Sequence, residues 1–110
     1  MTEKIVILCT CASEAEAARL ARLLVEGRLA ACVNVLPHVR SYYRWQGKVE
    51  ASEELLLIVK STRERFEEIR RTIEGAHSYE VPEIVALPVV AGSPAYLAWM
   101  DENLKDPGTE

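Results

Sequence analysis

Two stretches of this chain have no polar side. Residues 4–10 read KIVILCT and residues 55–59 read LLLIV, apolar at odd and even positions alike. Successive side chains on a β-strand point to opposite faces, so strands with this pattern must be covered on both. No other feature limits the fold as much, because the rest of the chain supplies few covers. Ser13 and Glu16 have capping-box spacing and open a helix that runs through Arg28. Ala17, Leu20, Ala21, Leu24 and Val25 recur at helical period as its expected buried face, and Gly27 weakens its last turn. Ser61 and Glu64 repeat the capping-box spacing ahead of a second helix, striped by Phe66, Ile69 and Ile73 and stopped at Gly75. Ser93 and Pro94 start a third, anchored by Tyr96, Leu97, Trp99 and Met100.

A long hairpin lies between the first two helices. Residues 29–45 read as its first arm. Val33, Val35, Val39, Tyr43 and Trp45 share one parity, and Asn34, His38, Arg40 and Arg44 share the other. Pro37 is expected at a bulge or where the ladder needs no donor. Gln46 and Gly47 supply the turn, and the return arm runs from Lys48 toward Lys60. An arm of roughly 14 residues spans some 45 Å, whereas a 100-residue domain has a radius of gyration of only ~13 Å. The tip, with Tyr42, Tyr43 and Trp45, is therefore expected to project beyond its own domain. A fourth strand, IVALPV, covers residues 84–89.

The order β-α-β-β-α-β followed by a helix predicts an α+β, ferredoxin-like sandwich with a long hairpin between its second and third strands and an extra C-terminal helix. Two helices cover one face of a four-stranded antiparallel sheet. The second face is left bare, and no remaining segment is large enough to cover it. The expected cover is another copy of the same chain in a closed ring. The alternative is a hairpin split by bulges and folded back on itself.

At 110 residues, 49% of them apolar, the chain reads as one globular domain, 1–110, with an ordered core over about 5–104 and a loose tail at 105–110. Thirteen Lys and Arg stand against seventeen Asp and Glu, with no basic stripe, which argues against a nucleic-acid partner. No run approaches the ~20 apolar residues of a membrane helix. The apolar start is too short for a signal peptide. Three cysteines in such a chain suggest free thiols in a reducing, cytoplasmic setting.

Just before the fourth strand His77, Tyr79, Glu80 and Glu83 crowd around Pro82. Taken with this knot, the segments AACVNVLP, SYYRWQG, ELLLIVKST, HSYEVPEIVALPV and YLAWM, in that order and at these distances, resemble the CutA family of divalent cation tolerance proteins over nearly the whole chain. The resemblance implies a homotrimer whose sheets pack on one another. It also implies binding of copper or another divalent metal in some members, with no cofactor needed for folding. Residue by residue, the family's first-strand Cys falls on Cys9 and its loop motif on His77, Tyr79, Pro82 and Glu83. Its hairpin motif falls on Tyr43, Trp45 and Gly47, and its third-strand acidic and basic positions on Glu54 and Lys60. Ser78 stands where the family has Pro. Ala76 stands where some members proposed to bind copper have a second His, and Cys11 is additional.

Two functional readings follow. In the first, a trimeric metal-binding protein uses Cys9, His77 and Cys11, since thiolate and imidazole suit copper and zinc. Against it, buried cysteines behave as small hydrophobes, as expected too of Cys32, and His77 can close the helix that precedes it. His38 is expected in solvent. In the second, Tyr43, Trp45, Glu54, Lys60, Tyr79, Glu80 and Glu83 line a cleft between subunits that takes a small molecule or peptide, in a design resembling the trimeric PII signalling proteins. The same residue types also suit a plain oligomer interface. A Cys9–His77 nucleophile and base pair is the one catalytic arrangement the sequence offers. With no phosphate loop, H-E-x-x-H or nucleophile elbow, it reads as a binding protein and not an enzyme.

Overall fold

A computed structural model describes residues 2–104; the tail assigned to 105–110 lies outside the described residues. Strand β1 (Lys4–Cys11) leads into helix α1 (Glu14–Glu26). The hairpin β2 (Cys32–Trp45) and β3 (Lys48–Thr62) follows, then a 3₁₀ turn at Arg63–Arg65 and helix α2 (Phe66–Ala76). Strand β4 (Val85–Pro88) and helix α3 (Pro94–Glu102) complete the order. The sheet is antiparallel, in the order β2-β3-β1-β4, which is the ferredoxin-like arrangement expected.

One sheet face is filled by the helices. Ile7, Cys9, Cys11, Leu57 and Val59 are sealed beneath Leu20, Leu24, Ile69 and Ile73. Ala17 joins this core, whereas Val25, expected there, is 41% exposed. The other face carries the alternate residues Val6, Leu8, Leu56 and Ile58 beside Leu36, Val85 and Leu87. Leu36, Val85 and Leu87 remain 40%, 48% and 51% exposed. Helix α3 reaches one corner of this face, where Asp101 pairs with Lys4 at 3.0 Å and the Tyr96 ring lies 5.7 Å from the Lys60 ammonium. The remainder of the face has no cover among the described residues.

The bulge sits where Pro37 required it, between Leu36 and Val39, with His38 exposed at φ 63°. It also divides the arm's apolar parity. Val33 and Val35 pair with Val59 and Leu57 on the helix side, while Val39 and Tyr43 pair with Glu54 and Glu50 on the uncovered side. Pro37 and His38 stand opposite Leu55 alone, and that one extra residue turns the later side chains of β2 over. The hairpin closes on Gln46 and Gly47, both at positive φ, as a tight two-residue turn demands. It extends the molecule to 44 Å along its longest axis.

Some boundaries differ from expectation. β2 starts at Cys32 because Leu29 and Ala30 donate back to the Leu24 carbonyl at 3.0 and 3.1 Å, after Arg28 takes a left-handed turn. Ser61 does not cap a helix. It stays in β3, and its buried hydroxyl donates to the Leu29 carbonyl at 2.6 Å. α2 runs past Gly75 to Ala76, and the His77 N–H closes it on Ile73.

Candidate functional site

The knot before β4 is built around a glutamate. Ser13 caps α1 by accepting from the Glu16 N–H at 3.2 Å. The Glu16 side chain does not complete a local capping box. Its carboxylate accepts from the Ala12 N–H at 3.3 Å, the Ser78 N–H at 2.6 Å and the Ser78 hydroxyl at 3.1 Å. The residue is only 4% exposed. Burial alone raises a carboxyl pKa; the bonds from Ser78 and Ala12 and the nearby His77 ring outweigh it and hold Glu16 below the ordinary carboxylate value. Ser78, where the resembling family has Pro, is thus a hydrogen-bonding member of the knot.

His77 is sealed, with none of its side chain exposed. The Tyr79 N–H donates to Nδ1 at 3.0 Å, so Nδ1 is the acceptor. Nε2 therefore carries the proton and donates to the Thr10 carbonyl at 2.8 Å. Both ring nitrogens are occupied by backbone. Cys9 and Cys11 share a face, as strand period predicts, and that face is the apolar core. Burial first, then Cys11 and the acidic groups around it, pushes the Cys9 thiol up to about 12. Burial and Glu16 push Cys11 up to about 11.

These donors do not fit a metal as they stand. A thiolate ligand has to lose its proton and an imidazole ligand needs a free lone pair. Here the thiols are held protonated and the imidazole lone pair is taken. No group of three or more His, Cys, Asp or Glu side chains among the described residues is gathered closely enough to hold an ion. Cys32, at the start of β2, is partly exposed, with its sulfur 4.0 Å from the Asn34 side-chain oxygen.

On the uncovered side of the sheet, a groove of about 800 Å³ runs between the hairpin and the loop after α2. Tyr43 and Trp45 come from the hairpin, Tyr79, Glu80 and Glu83 from the loop, and Thr10 and Glu54 from the sheet. The Tyr79 hydroxyl donates to Glu54 at 2.6 Å and ties loop to sheet. Burial, then this bond to Glu54, raises the phenol above its ordinary value. Six of the seven expected cleft residues meet here. Lys60 does not: it lies ~20 Å along β3 from Glu54, beneath Tyr96. Thr10, Glu16, Ser41, Tyr42 and Val81 were not anticipated as site residues. Only Glu16 carried a signal, its acid at the third helical position, and that signal pointed to a local role.

Comparison with known proteins agrees with this architecture. The family model described as CutA1 divalent ion tolerance protein matches residues 5–103. The divalent-cation tolerance protein CutA of Thermus thermophilus is 50% identical over 98 residues, covering 89% of this chain and 95% of that one. A solved structure of the Thermus protein superposes with a TM-score of 0.90 at 48% identity, over 93% of this chain and 99% of that chain. The Archaeoglobus fulgidus CutA structure, described as a periplasmic divalent cation tolerance protein, matches with a TM-score of 0.90 at 41% identity, again over 93% and 99%.

Proposed function

The chain belongs to the CutA1 divalent ion tolerance family, and on that premise we propose that it serves divalent-cation tolerance as a cytoplasmic homotrimer with its ligand site in the groove beside the hairpin. The observation that carries this reading is the uncovered apolar face. Val6, Leu8, Leu56 and Ile58 form a contiguous patch with the exposed Val85 and Leu87 on the face turned away from α1 and α2. Such a patch marks an association surface. Copies arranged in a closed ring give each face a cover, and the family resemblance implies three. The groove lies on the same side of the sheet, so a neighbour packed on this face borders it. The three cysteines stand free, which suits a reducing compartment.

Of the two sites the sequence leaves open, the geometry supports the groove over the Cys9–His77 knot. Copper or another divalent metal enters as the family's association, and binding at Cys9, Cys11 and His77 requires the knot to open first. The test is native mass spectrometry of the reduced protein with and without copper. The expected mass is three times the 12.3 kDa chain, with no stoichiometric copper lost on Cys9→Ser or His77→Ala. A monomer of unchanged fold overturns the assembly. Stoichiometric copper abolished by either substitution moves the site back to the knot.

A further inference from the structure

Glu54 is 8% exposed, and its one hydrogen bond comes from the neutral Tyr79 hydroxyl, to Oε2. It makes no ion pair with any described residue, and its other oxygen is not among the fully buried atoms. A carboxylate taken this far out of water without a cation is costly, and Glu54 lines the groove. Glu80 and Glu83 add acidic groups to the same rim, and no Lys, Arg or His lines the groove. The walls are aromatic: Tyr42, Tyr43 and Trp45 on the hairpin side, Tyr79 on the loop side.

From this combination we propose that the groove binds a small organic cation, an alkylammonium or guanidinium compound, with its charge on Glu54 and its apolar body against the rings. Aromatic faces attract cations whose charge is spread over a weakly hydrated group, and the attraction grows as water is excluded. A bare divalent ion is served less well. It requires several oxygens within a shell of ~2.0–2.6 Å, and the groove glutamates are not gathered into such a cluster. The groove volume falls within the ~300–1,000 Å³ of small-molecule sites. This assignment rests on the groove being the ligand site, and it names the class of ligand.

The test uses the oligomer as purified. Tryptophan occurs only at 45 and 99, so Trp99→Phe leaves Trp45 as the sole reporter. Choline is titrated against 3,3-dimethylbutan-1-ol, which has the same shape with carbon in place of the charged nitrogen. Choline is expected to change Trp45 fluorescence saturably and to bind at least ~10-fold more tightly than the alcohol. Glu54→Gln is expected to weaken choline ~5- to 10-fold, about 1–1.4 kcal/mol. Glu83→Gln, on the exposed loop, gives a smaller loss and stands in if Glu54→Gln unfolds. Equal binding of the two compounds, or none up to tens of millimolar, overturns the proposal, and a neighbour's basic side chain filling the groove gives that second result. Zinc chloride alone is the remaining arm: a response to Zn²⁺ but not choline, abolished in Glu54→Gln, makes the groove a metal site instead. A monomer that binds choline overturns the assembly alone, and a trimer that ignores it overturns the ligand class alone.

Discussion

The two faces of the sheet are made by alternate residues of the same strands and end in opposite states. Leu57 faces the helices and is fully buried; Ile58, one residue on, faces away from them and is only partly so. Each face also holds one nearly buried glutamate. Glu16, on the helix side, accepts three hydrogen bonds, two of them from Ser78. Glu54, on the uncovered side, accepts one. The covered face is finished within one chain, in its apolar and its polar groups. The uncovered face is unfinished in both, and the two deficits call for different things. Bare apolar surface is satisfied by another apolar surface, a bare carboxylate by a cation. That difference is the ground on which we propose a second copy for the sheet and a ligand for the groove.

Adjacent substitutions on β3 give the sharpest and largest contrast. Leu57→Ala removes a fully enclosed side chain and is expected to cost roughly 2–5 kcal/mol of the chain's own stability. Ile58→Ala is expected to leave the isolated chain's secondary structure intact and to weaken assembly instead. Denaturant melts across a protein dilution series check this. The midpoint of Ile58→Ala should depend on concentration more strongly than wild type, whereas Leu57→Ala should fall at every concentration. Equal, concentration-independent losses would mean that the two faces are equally covered within one chain, and the comparison would break.

Much of this contrast was legible in the sequence, because it depends on period. The double-sided strands, the helix stripes, the capped starts at Ser13 and Ser93 and the bulge at Pro37 all rest on short-range patterns, and the structure carries each of them, apart from Val25 at the end of the α1 stripe. What escaped rests on contacts far apart in the chain. The apolar parity of β2 looks continuous until the bulge turns Val39 and Tyr43 to the other side. Ser61 has the spacing of a cap, yet β1 pairs it with Ile5 and holds it in the strand. Glu16 has the spacing of a capping box, yet its strongest partner is Ser78, across the fold. At the site, the motif positions Tyr43, Trp45, Glu54, Tyr79 and Glu83 line one groove together with Glu80. Motif matching included Lys60 as well, because a motif records order along a strand and not the length of strand between its members.

The two glutamates give the smaller effects and the finer test. In Glu16→Gln one carboxylate oxygen becomes an amide NH₂ that points at a donor, so at least one buried partner is left unpaired, at roughly 1–3 kcal/mol. The pH dependence follows from the lowered folded value. An acid whose pKa falls on folding stabilises the fold fully above its unfolded value, here 4.5, and loses that contribution as pH drops through the folded one. The stability gap between wild type and Glu16→Gln should therefore be widest near neutrality and close progressively below pH 4.5. Glu54→Gln should behave differently. Its amide oxygen can keep the single bond from Tyr79, and it removes a buried charge that no described cation balances. The expected change in unfolding free energy is under ~1 kcal/mol in either direction, while ligand affinity suffers. Chemical melts of both variants at several pH values decide the matter. If Glu54→Gln costs as much as Glu16→Gln in ligand-free protein, then Glu54 is already fully partnered in the assembly and the groove has no charge left to offer.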